Sequence, residues 1–194
     1  MGRIVVTEYI SVDGVVEAPS GTESFARVGW TDAFSRGPEG DQFKLEETMK
    51  SDALLLGRVT YDGFAPVWPT RSGDPYSDRI NAMRKYVVST TLRDPDWNNT
   101  EVIDGDVAAA IARLKEEPGQ DIVQYGYGEV TRLMLEHGLL DELRLWVHPL
   151  ILGRGSPADL LFGAVPAVGF HLVDTTALSD GTVILGYRTD KLLA

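Results

Sequence analysis

The stretch Leu54-Leu55-Leu56-Gly57-Arg58-Val59-Thr60-Tyr61 joins a continuous apolar run to a glycine and then to polar residues. An apolar run of this length, ended by glycine, is typical of a strand buried in a parallel or mixed sheet. Ligands of open α/β sheets bind outside the carboxyl ends of the strands, so Arg58 and Thr60 mark a candidate site. The alternative is a core strand followed by an ordinary turn with a solvated arginine, and this stretch alone does not separate the two readings.

Two other predicted strands also end in small or polar residues. One is followed by Ser89-Thr90-Thr91 and the other by Gly126-Tyr127-Gly128-Glu129. If the three strands are parallel neighbours, all three ends lie on one edge of the sheet. Glycines at a strand-to-helix turn let backbone N–H groups reach a pyrophosphate, and hydroxyls and an arginine supply further donors. The pattern favours a dinucleotide site, although Gly-x-Gly alone is weak and a Ser or Thr after a strand is commonly a cap.

The chain as a whole alternates between strand and helix patterns. Strands are predicted near residues 3–10, 54–57, 86–89, 101–103, 121–124, 143–147, 170–176 and 182–187. Helices are predicted near residues 41–50, 61–64, 76–83, 107–115, 130–137 and 158–162, with a long loop over residues 17–40. This order predicts a single α/β domain over residues 1–194, with a mixed, mostly parallel central sheet, flanking helices and a C-terminal antiparallel hairpin.

Composition narrows the function. The net charge of −11 and the pI near 4.6 argue against an extended surface for nucleic acid or anionic membrane. The chain has no cysteine, which rules out disulfides and thiolate catalysis. Its N-terminus lacks the apolar segment of a signal peptide, and no run approaches the length of a membrane span, so we expect a soluble cytoplasmic protein. None of the three histidines has metal-ligand spacing, and we expect no metal.

Candidate substrate contacts are less well defined. Asp13, after the first strand, is the preferred polar contact and candidate catalytic residue, but an Asp-Gly turn explains it equally well. Trp30, Phe64 and Trp68 would wall a planar heterocycle, or would simply anchor the loops that carry them. Glu46 and Glu47 are candidates only if their helix borders the pocket.

Two surface assignments follow from local patterns. The helix over residues 41–50 is expected to bury Leu45 and Met49 and to expose Glu46 and Glu47. The strand over residues 143–147 alternates apolar residues with Trp146, and an exposed tryptophan there predicts a dimer surface.

Six motifs occur in the order seen in dihydrofolate-reductase-like proteins. They are Ser11-Val12-Asp13-Gly14-Val15-Val16-Glu17, Gly57-Arg58-x-Thr60-Tyr61, Val88-Ser89-x-Thr91-Leu92, Gly126-x-Gly128-Glu129, Gly138-Leu139-x-Asp141-Glu142 and Pro149-Leu150-Ile151-Leu152-Gly153-x-Gly155. Within that group the chain most resembles the reductase (C-terminal) domain of the bacterial riboflavin-biosynthesis deaminase-reductase and its stand-alone relatives. The resemblance extends from about Ile4 to Tyr187.

The resemblance implies NADPH lying across the strand ends and a homodimer. It assigns cofactor contacts to Gly57, Arg58, Thr60, Ser89, Thr91, Gly126, Gly128, Glu129 and Val130, to which the strand-end pattern adds Thr90. Tyr127 is a departure, because small residues are common at that position, and its ring either points away or crowds the pyrophosphate. The implied activity is reduction of a small planar heterocycle, such as a pteridine or the riboflavin precursor 5-amino-6-(5-phosphoribosylamino)uracil. The alternative is a non-catalytic dimeric nucleotide- or ligand-binding protein of the same fold.

Overall fold

The computed structural model describes residues 2–19, 27–153, 160–161 and 167–192. Its strands are β1 (Ile4–Ser11), β2 (Ser51–Gly57), β3 (Arg84–Val88), β4 (Thr100–Ile103), β5 (Asp121–Tyr125), β6 (Glu142–His148), β7 (Val168–Ala177) and β8 (Val183–Leu192). Its helices are α1 (Gly37–Met49), α2 (Arg58–Phe64), α3 (Pro75–Ala82), α4 (Val107–Glu116) and α5 (Glu129–Glu136). Two short 3-10 helices cover Trp30–Ala33 and Trp68–Thr70. The helix predicted over residues 158–162 falls largely outside the described residues.

The eight strands form one sheet in the order β4-β3-β2-β5-β1-β6-β8-β7. The six strands from β4 to β6 are parallel, while β8 runs antiparallel to both β6 and β7. This arrangement confirms the predicted mixed, mostly parallel sheet with a C-terminal antiparallel hairpin. The parallel strands bring the carboxyl ends of β3, β2, β5, β1 and β6 to one edge, in that order, which we call the carboxyl edge.

Side chains that alternate along the strands build a core on each face of the sheet. On one face, Ile4 and Leu55 pack with Ile111 of α4 and Met134 of α5. On the other face, residues of β2, β3 and β5 pack with Ile80 of α3. Leu54, Leu55 and Leu56 are all fully buried, because β2 is covered on both faces.

The buried face of α1 differs from the prediction. Lys44, Glu47 and Thr48 are buried, whereas Met49 is half exposed. The reason is electrostatic pairing, since the Lys44 ammonium lies 3.1 Å from the Glu47 carboxylate and 3.0 Å from the Thr7 hydroxyl. Buried charges are tolerated when they are paired and hydrogen-bonded in this way. α1 also begins at Gly37, four residues before the predicted start, and shortens the predicted loop.

The predicted dimer surface around Trp146 is wrong. Trp146 is fully buried, and β6 lies inside the sheet between β1 and β8. Its indole ring packs edge-on against Tyr9 and Phe43, so α1 covers the face from which the tryptophan projects. The tryptophan is therefore a core residue, and it gives no information about a partner.

The two outer strands of the sheet are unlike. β4 has four residues, while β7 has ten and pairs with β8 through two register shifts, between Val168 and Phe170 and between Leu172 and Asp174. Leu172 and Val173 are exposed on β7. None of the helices in the described ranges combines the length and apolar character needed to span a bilayer.

Candidate cofactor site at the carboxyl edge of the sheet

The three polar strand ends lie on neighbouring parallel strands. Gly57 at the end of β2 is in register with Val88, the residue before Ser89, and β2 pairs on its other side with β5, which leads into Gly126. The condition that the sequence left open, parallel adjacency of the three strands, is met. The strand predicted near residues 54–57 ends at Gly57 as expected and begins three residues earlier, at Ser51, while α2 begins at Arg58, before the predicted helix near 61–64.

Arg58 joins two of these strand ends. Its Nε donates to both carboxylate oxygens of Asp62, at 2.8 and 2.9 Å, and its Nη1 donates to the Thr91 hydroxyl at 3.0 Å. The side chains of Arg58 and Asp62 are 39% and 54% exposed, so the ion pair is open to solvent and to ligands. A planar guanidinium held at a sheet edge in this way is suited to bind a phosphate group.

Gly126 fits a tightly packed position. Its φ of +91° lies in the left-handed region, which glycine adopts without strain. A Cβ atom at Gly126 would lie 3.2 Å from the Thr60 hydroxyl oxygen and 3.9 Å from a carboxylate oxygen of Glu8. Nearby, a Cβ atom at Gly57 would contact the Val130 side chain at 3.8 Å. The ends of β2 and β5 therefore pack closely against the first turns of α2 and α5.

The Ser89 hydroxyl has a local structural role. It accepts hydrogen bonds from the backbone N–H groups of Leu92 and Thr91, at 3.0 and 3.3 Å, and the residue is buried. This geometry is the capping interaction that the sequence allowed as an alternative. Thr90 and Thr91 are exposed beside it, so they are the residues of this strand end that face solvent.

Gly128 and Tyr127 define the turn that precedes α5. A Cβ atom at Gly128 would have no neighbour within 4 Å, so there is open space above this residue. The Tyr127 ring packs against the core, and the Arg132 guanidinium lies 5.7 Å from its centroid. The ring is thus directed into the protein and leaves the space above Gly128 open. Glu129 is exposed and forms an ion pair with Arg132.

Asp13 fastens two loops at the carboxyl edge. Its carboxylate accepts from the Ser11 hydroxyl at 2.6 Å and from the backbone N–H groups of Leu152 and Gly153 at 3.1 and 2.9 Å. Partial burial raises the pKa of Asp13, but these hydrogen bonds outweigh it and leave the pKa below its ordinary value. The loop contacts account for both carboxylate oxygens, and a catalytic role of Asp13 stays a prediction.

The three aromatic residues predicted to wall a substrate do not form one wall. Trp30 is buried, donates to the Glu17 carbonyl and packs edge-on against His148 at 5.3 Å. Phe64 and Trp68 instead contact each other at 5.9 Å, on the side of α2 and α3. Within the described ranges, no three or more His, Asp or Glu side chains are grouped in a way that could hold a metal ion.

Sequence reasoning missed a cluster on the α1 side of the carboxyl edge. The Lys44 ammonium lies 4.9 Å from the ring centroid of Tyr125, the last residue of β5, and 5.4 Å from that of Tyr9. The Tyr125 hydroxyl is 2.9 Å from the Thr48 hydroxyl and lies close enough to Tyr76 to influence the pKa of that phenol. For Lys44, the sequence offered one signal: the apolar face of its helix is weak, which leaves room for a polar residue at a buried position. The tyrosines carried no such signal.

A shallow depression of about 230 Å³ lies at the opposite edge of the sheet. It is lined by residues at the amino ends of β2, β3 and β5, among them Asp52, Arg84 and Gln120. None of the predicted site residues lines it. We therefore assign no role to it and place the candidate site at the carboxyl edge.

Comparison with known proteins identifies the family. Residues 3–184 match the model of the RibD C-terminal domain family. The chain is 27% identical to YyaP of Bacillus subtilis (strain 168), an uncharacterized protein, over 195 residues that cover 96% of this chain and 94% of YyaP.

Solved structures share the fold. A putative riboflavin biosynthesis protein from Shewanella sp. PV-4 superposes with a TM-score of 0.74 and 19% identity, covering 97% of this chain and 99% of that one. Dihydrofolate reductase from Enterococcus faecalis, complexed with NADP(H) and RAB-propyl, superposes with a TM-score of 0.60 and 11% identity, covering 98% of each chain. The chain therefore belongs to the RibD C-terminal domain family and has a dihydrofolate-reductase-like fold.

Proposed function

We propose that this protein is an NADPH-dependent reductase of a small planar heterocycle, of the pteridine or riboflavin-precursor pyrimidine type. The observation that carries the proposal is the row of three polar strand ends on β3, β2 and β5, joined by the contact from Arg58 to Thr91. A dinucleotide needs such a row, because its phosphates and riboses extend across several strands. The family adds support, since solved proteins of the same fold are named for riboflavin biosynthesis and for binding NADP(H).

Each part of the row suits one part of the cofactor. Arg58 would pair with the phosphate on the adenosine ribose, with Thr90 and Thr91 as neutral donors beside it. The pyrophosphate would lie in the open space above Gly128, at the start of α5. Gly57, Thr60, Ser89, Gly126 and Val130 would shape the floor, and Glu129 would border it. When bound, NADPH supplies the hydride, and the protein supplies binding, orientation and electrostatics.

Calorimetry with NADPH and NADH tests the proposal. Loss of charge-assisted hydrogen bonds costs about 1.5–3 kcal/mol, so Arg58→Ala is expected to weaken NADPH binding roughly tenfold or more. Arg113→Ala is the matched control, because Arg113 is exposed on α4, and it is expected to leave the affinity unchanged. The proposal would be refuted if neither NADPH nor NADH bound to the unmodified protein.

The non-catalytic alternative makes a different prediction for the same samples. A ligand-binding protein of this fold would bind NADPH without oxidising it across a panel of pteridines, pyrimidines and quinones. We also propose a cytoplasmic homodimer, on the family resemblance and on the cytoplasmic supply of NADPH. Light scattering checks the dimer, and a monomeric mass at micromolar concentration would reject it.

A further inference from the structure

A row of three hydroxyl groups lies beneath the carboxyl edge. The Thr48 and Tyr125 oxygens are 2.9 Å apart, and the Tyr76 hydroxyl is close enough to Tyr125 for the two phenols to shift each other's pKa. The three residues come from α1, β5 and α3. Since α1 and α3 each return the chain to the start of a parallel strand, both helices begin at the carboxyl edge. Tyr76, the second residue of α3, therefore lies close to that edge.

Lys44 places a positive charge against this row. Its ammonium is fully buried, is 4.9 Å from the Tyr125 ring and is held by Glu47 and Thr7. Burial raises the pKa of Tyr76, so this phenol carries its proton at neutral pH. The Lys44 charge and the neighbouring Tyr125 hydroxyl act in the opposite direction: both lower the pKa of Tyr76 and stabilise its phenolate. The Tyr76 hydroxyl is thus protonated at neutral pH, and Lys44 and Tyr125 stabilise its phenolate.

Apolar rings adjoin the end of the row. The Trp68 ring packs edge-on against Tyr76 at 5.5 Å, and Phe64 lies 6.1 Å from Tyr125. On the proposed function, on which this inference rests, the adenosine end of NADPH lies over β2 and β3 and its pyrophosphate over β5. The nicotinamide end then continues toward β1, beside Tyr125. A planar acceptor stacked on the nicotinamide would contact Phe64, Trp68 and Tyr76.

We propose that Tyr76 is the proton donor of the reduction, with Tyr125 and Lys44 as positioning residues that stabilise its phenolate. The acceptor carbon of a C=O or C=N group gains the hydride and forms a C–H bond. The π electron pair moves to the oxygen or nitrogen, which takes the proton from the Tyr76 hydroxyl. The phenolate is reprotonated from solvent after the product leaves, so one acceptor, one NADPH and one proton give the reduced product and NADP⁺.

The test uses 9,10-phenanthrenequinone as the probe, because it is planar and needs one hydride and one proton for each carbonyl reduced. Unmodified protein with NADPH is expected to reduce it with a solvent isotope effect on kcat in D₂O. Tyr76→Phe is expected to lower kcat about 100-fold, which is a typical contribution of a general acid, and to lose the solvent isotope effect. Tyr187→Phe is the control, because Tyr187 packs on Phe170 in the C-terminal hairpin and is expected to change neither quantity.

Two binding measurements separate chemistry from structure. The dissociation constant of NADPH is expected to stay within twofold in Tyr76→Phe. The dissociation constant of the quinone for the NADP⁺ complex, followed by tryptophan fluorescence, is expected to rise about fivefold, because one hydrogen bond is lost. Tyr125→Phe is an independent second variant, expected to lower kcat about tenfold by removing a hydroxyl that stabilises the phenolate.

The outcomes are distinguishable. Unchanged kcat and quinone affinity in Tyr76→Phe would overturn the assignment of the proton donor. Tight NADPH binding without quinone reduction by the unmodified protein would also overturn it, while leaving the cofactor site of the proposed function intact. Absence of NADPH binding would instead refute the proposed function itself.

Discussion

The Lys44 ammonium and the Glu47 carboxylate, both on α1, form an ion pair at 3.1 Å on the side of the helix that faces the sheet, with both side chains almost completely buried. The other Glu47 oxygen accepts from Arg144 of β6 at 3.0 Å. One helix is thus attached to the sheet by a carboxylate that balances two cations.

Removing that carboxylate should destabilise the fold strongly. Glu47→Ala leaves Lys44 without its counter-ion in the interior, for which a loss of about 3–5 kcal/mol in the free energy of unfolding is expected. Glu46→Ala, the neighbouring exposed residue, should change it by less than about 0.5 kcal/mol. Urea unfolding followed by circular dichroism measures both, and equal effects would show that the buried pair has no special role.

Asp62 should oppose cofactor binding. Its carboxylate accepts hydrogen bonds from the Arg58 guanidinium, which we propose binds a phosphate of the cofactor. Because the carboxylate competes with that phosphate, Asp62→Ala is expected to tighten NADPH binding roughly threefold to tenfold at low salt. NADH, which lacks the additional ribose phosphate, should gain less. Glu136→Ala makes the same change in net charge at the far end of α5 and should leave both affinities unchanged. Weaker NADPH binding in Asp62→Ala would contradict the assignment.

Gly126 should be sensitive to a single methyl group. Gly126→Ala combines a φ of +91° with a Cβ atom 3.2 Å from the Thr60 hydroxyl, whereas Gly73→Ala has a φ of +87° and open space. Both variants should lose about 1–2 kcal/mol of stability from backbone strain. Only Gly126→Ala should also weaken NADPH binding, measured by calorimetry. Equal NADPH affinities in the two variants would show that the turn at Gly126 does not contribute to the cofactor site.

Lys85 should make stability depend on alkaline pH. It is fully buried beside Trp97, and burial lowers its pKa from 10.5 to about 8. Between these two values the unfolded chain binds more protons than the folded one, so the free energy of unfolding rises with pH across this window. The rise is at most about 3 kcal/mol.

Comparison with Lys85→Met isolates this contribution, because other groups titrate in the same window. The stability difference, unmodified protein minus Lys85→Met, should increase from pH 8 to pH 10 in urea unfolding experiments. A constant difference across that window would show that Lys85 stays charged in the folded protein.

Local sequence patterns predicted two kinds of element correctly: strands that are buried on both faces, and strands that pair with a neighbour in the sequence. The run from Leu54 to Leu56 is apolar without alternation because both faces of β2 are covered, and one strand suffices to show this. The C-terminal hairpin was predicted from two strand segments, over residues 170–176 and 182–187, on either side of a turn at Ser179-Asp180-Gly181. The adjacency of Ser89, Gly57 and Gly126 needed the strand order as well, which no single segment contains.

The predictions that failed depend on contacts between residues that are far apart in the sequence. Lys44 and Glu47 look like a solvated helix face because their partners, Thr7 and Arg144, lie far away in the sequence. Trp146 looked like an exposed residue for the same reason, since the helix that covers it precedes it by about a hundred positions. The hydroxyl row of Thr48, Tyr125 and Tyr76 depends on the packing of three elements, and periodicity in any one of them does not show it.

The register shifts in β7 affect how this protein behaves at high concentration. An outer strand of ten residues with regular spacing would offer its unpaired backbone groups to a second chain, and exposed Leu172 and Val173 would strengthen such an association. Each irregularity twists the strand and interrupts the spacing that an incoming strand must match. At the opposite border, β4 is too short to template more than a few hydrogen bonds. We therefore expect neither outer strand, over the residues that the structure describes, to pair readily with strands of further chains.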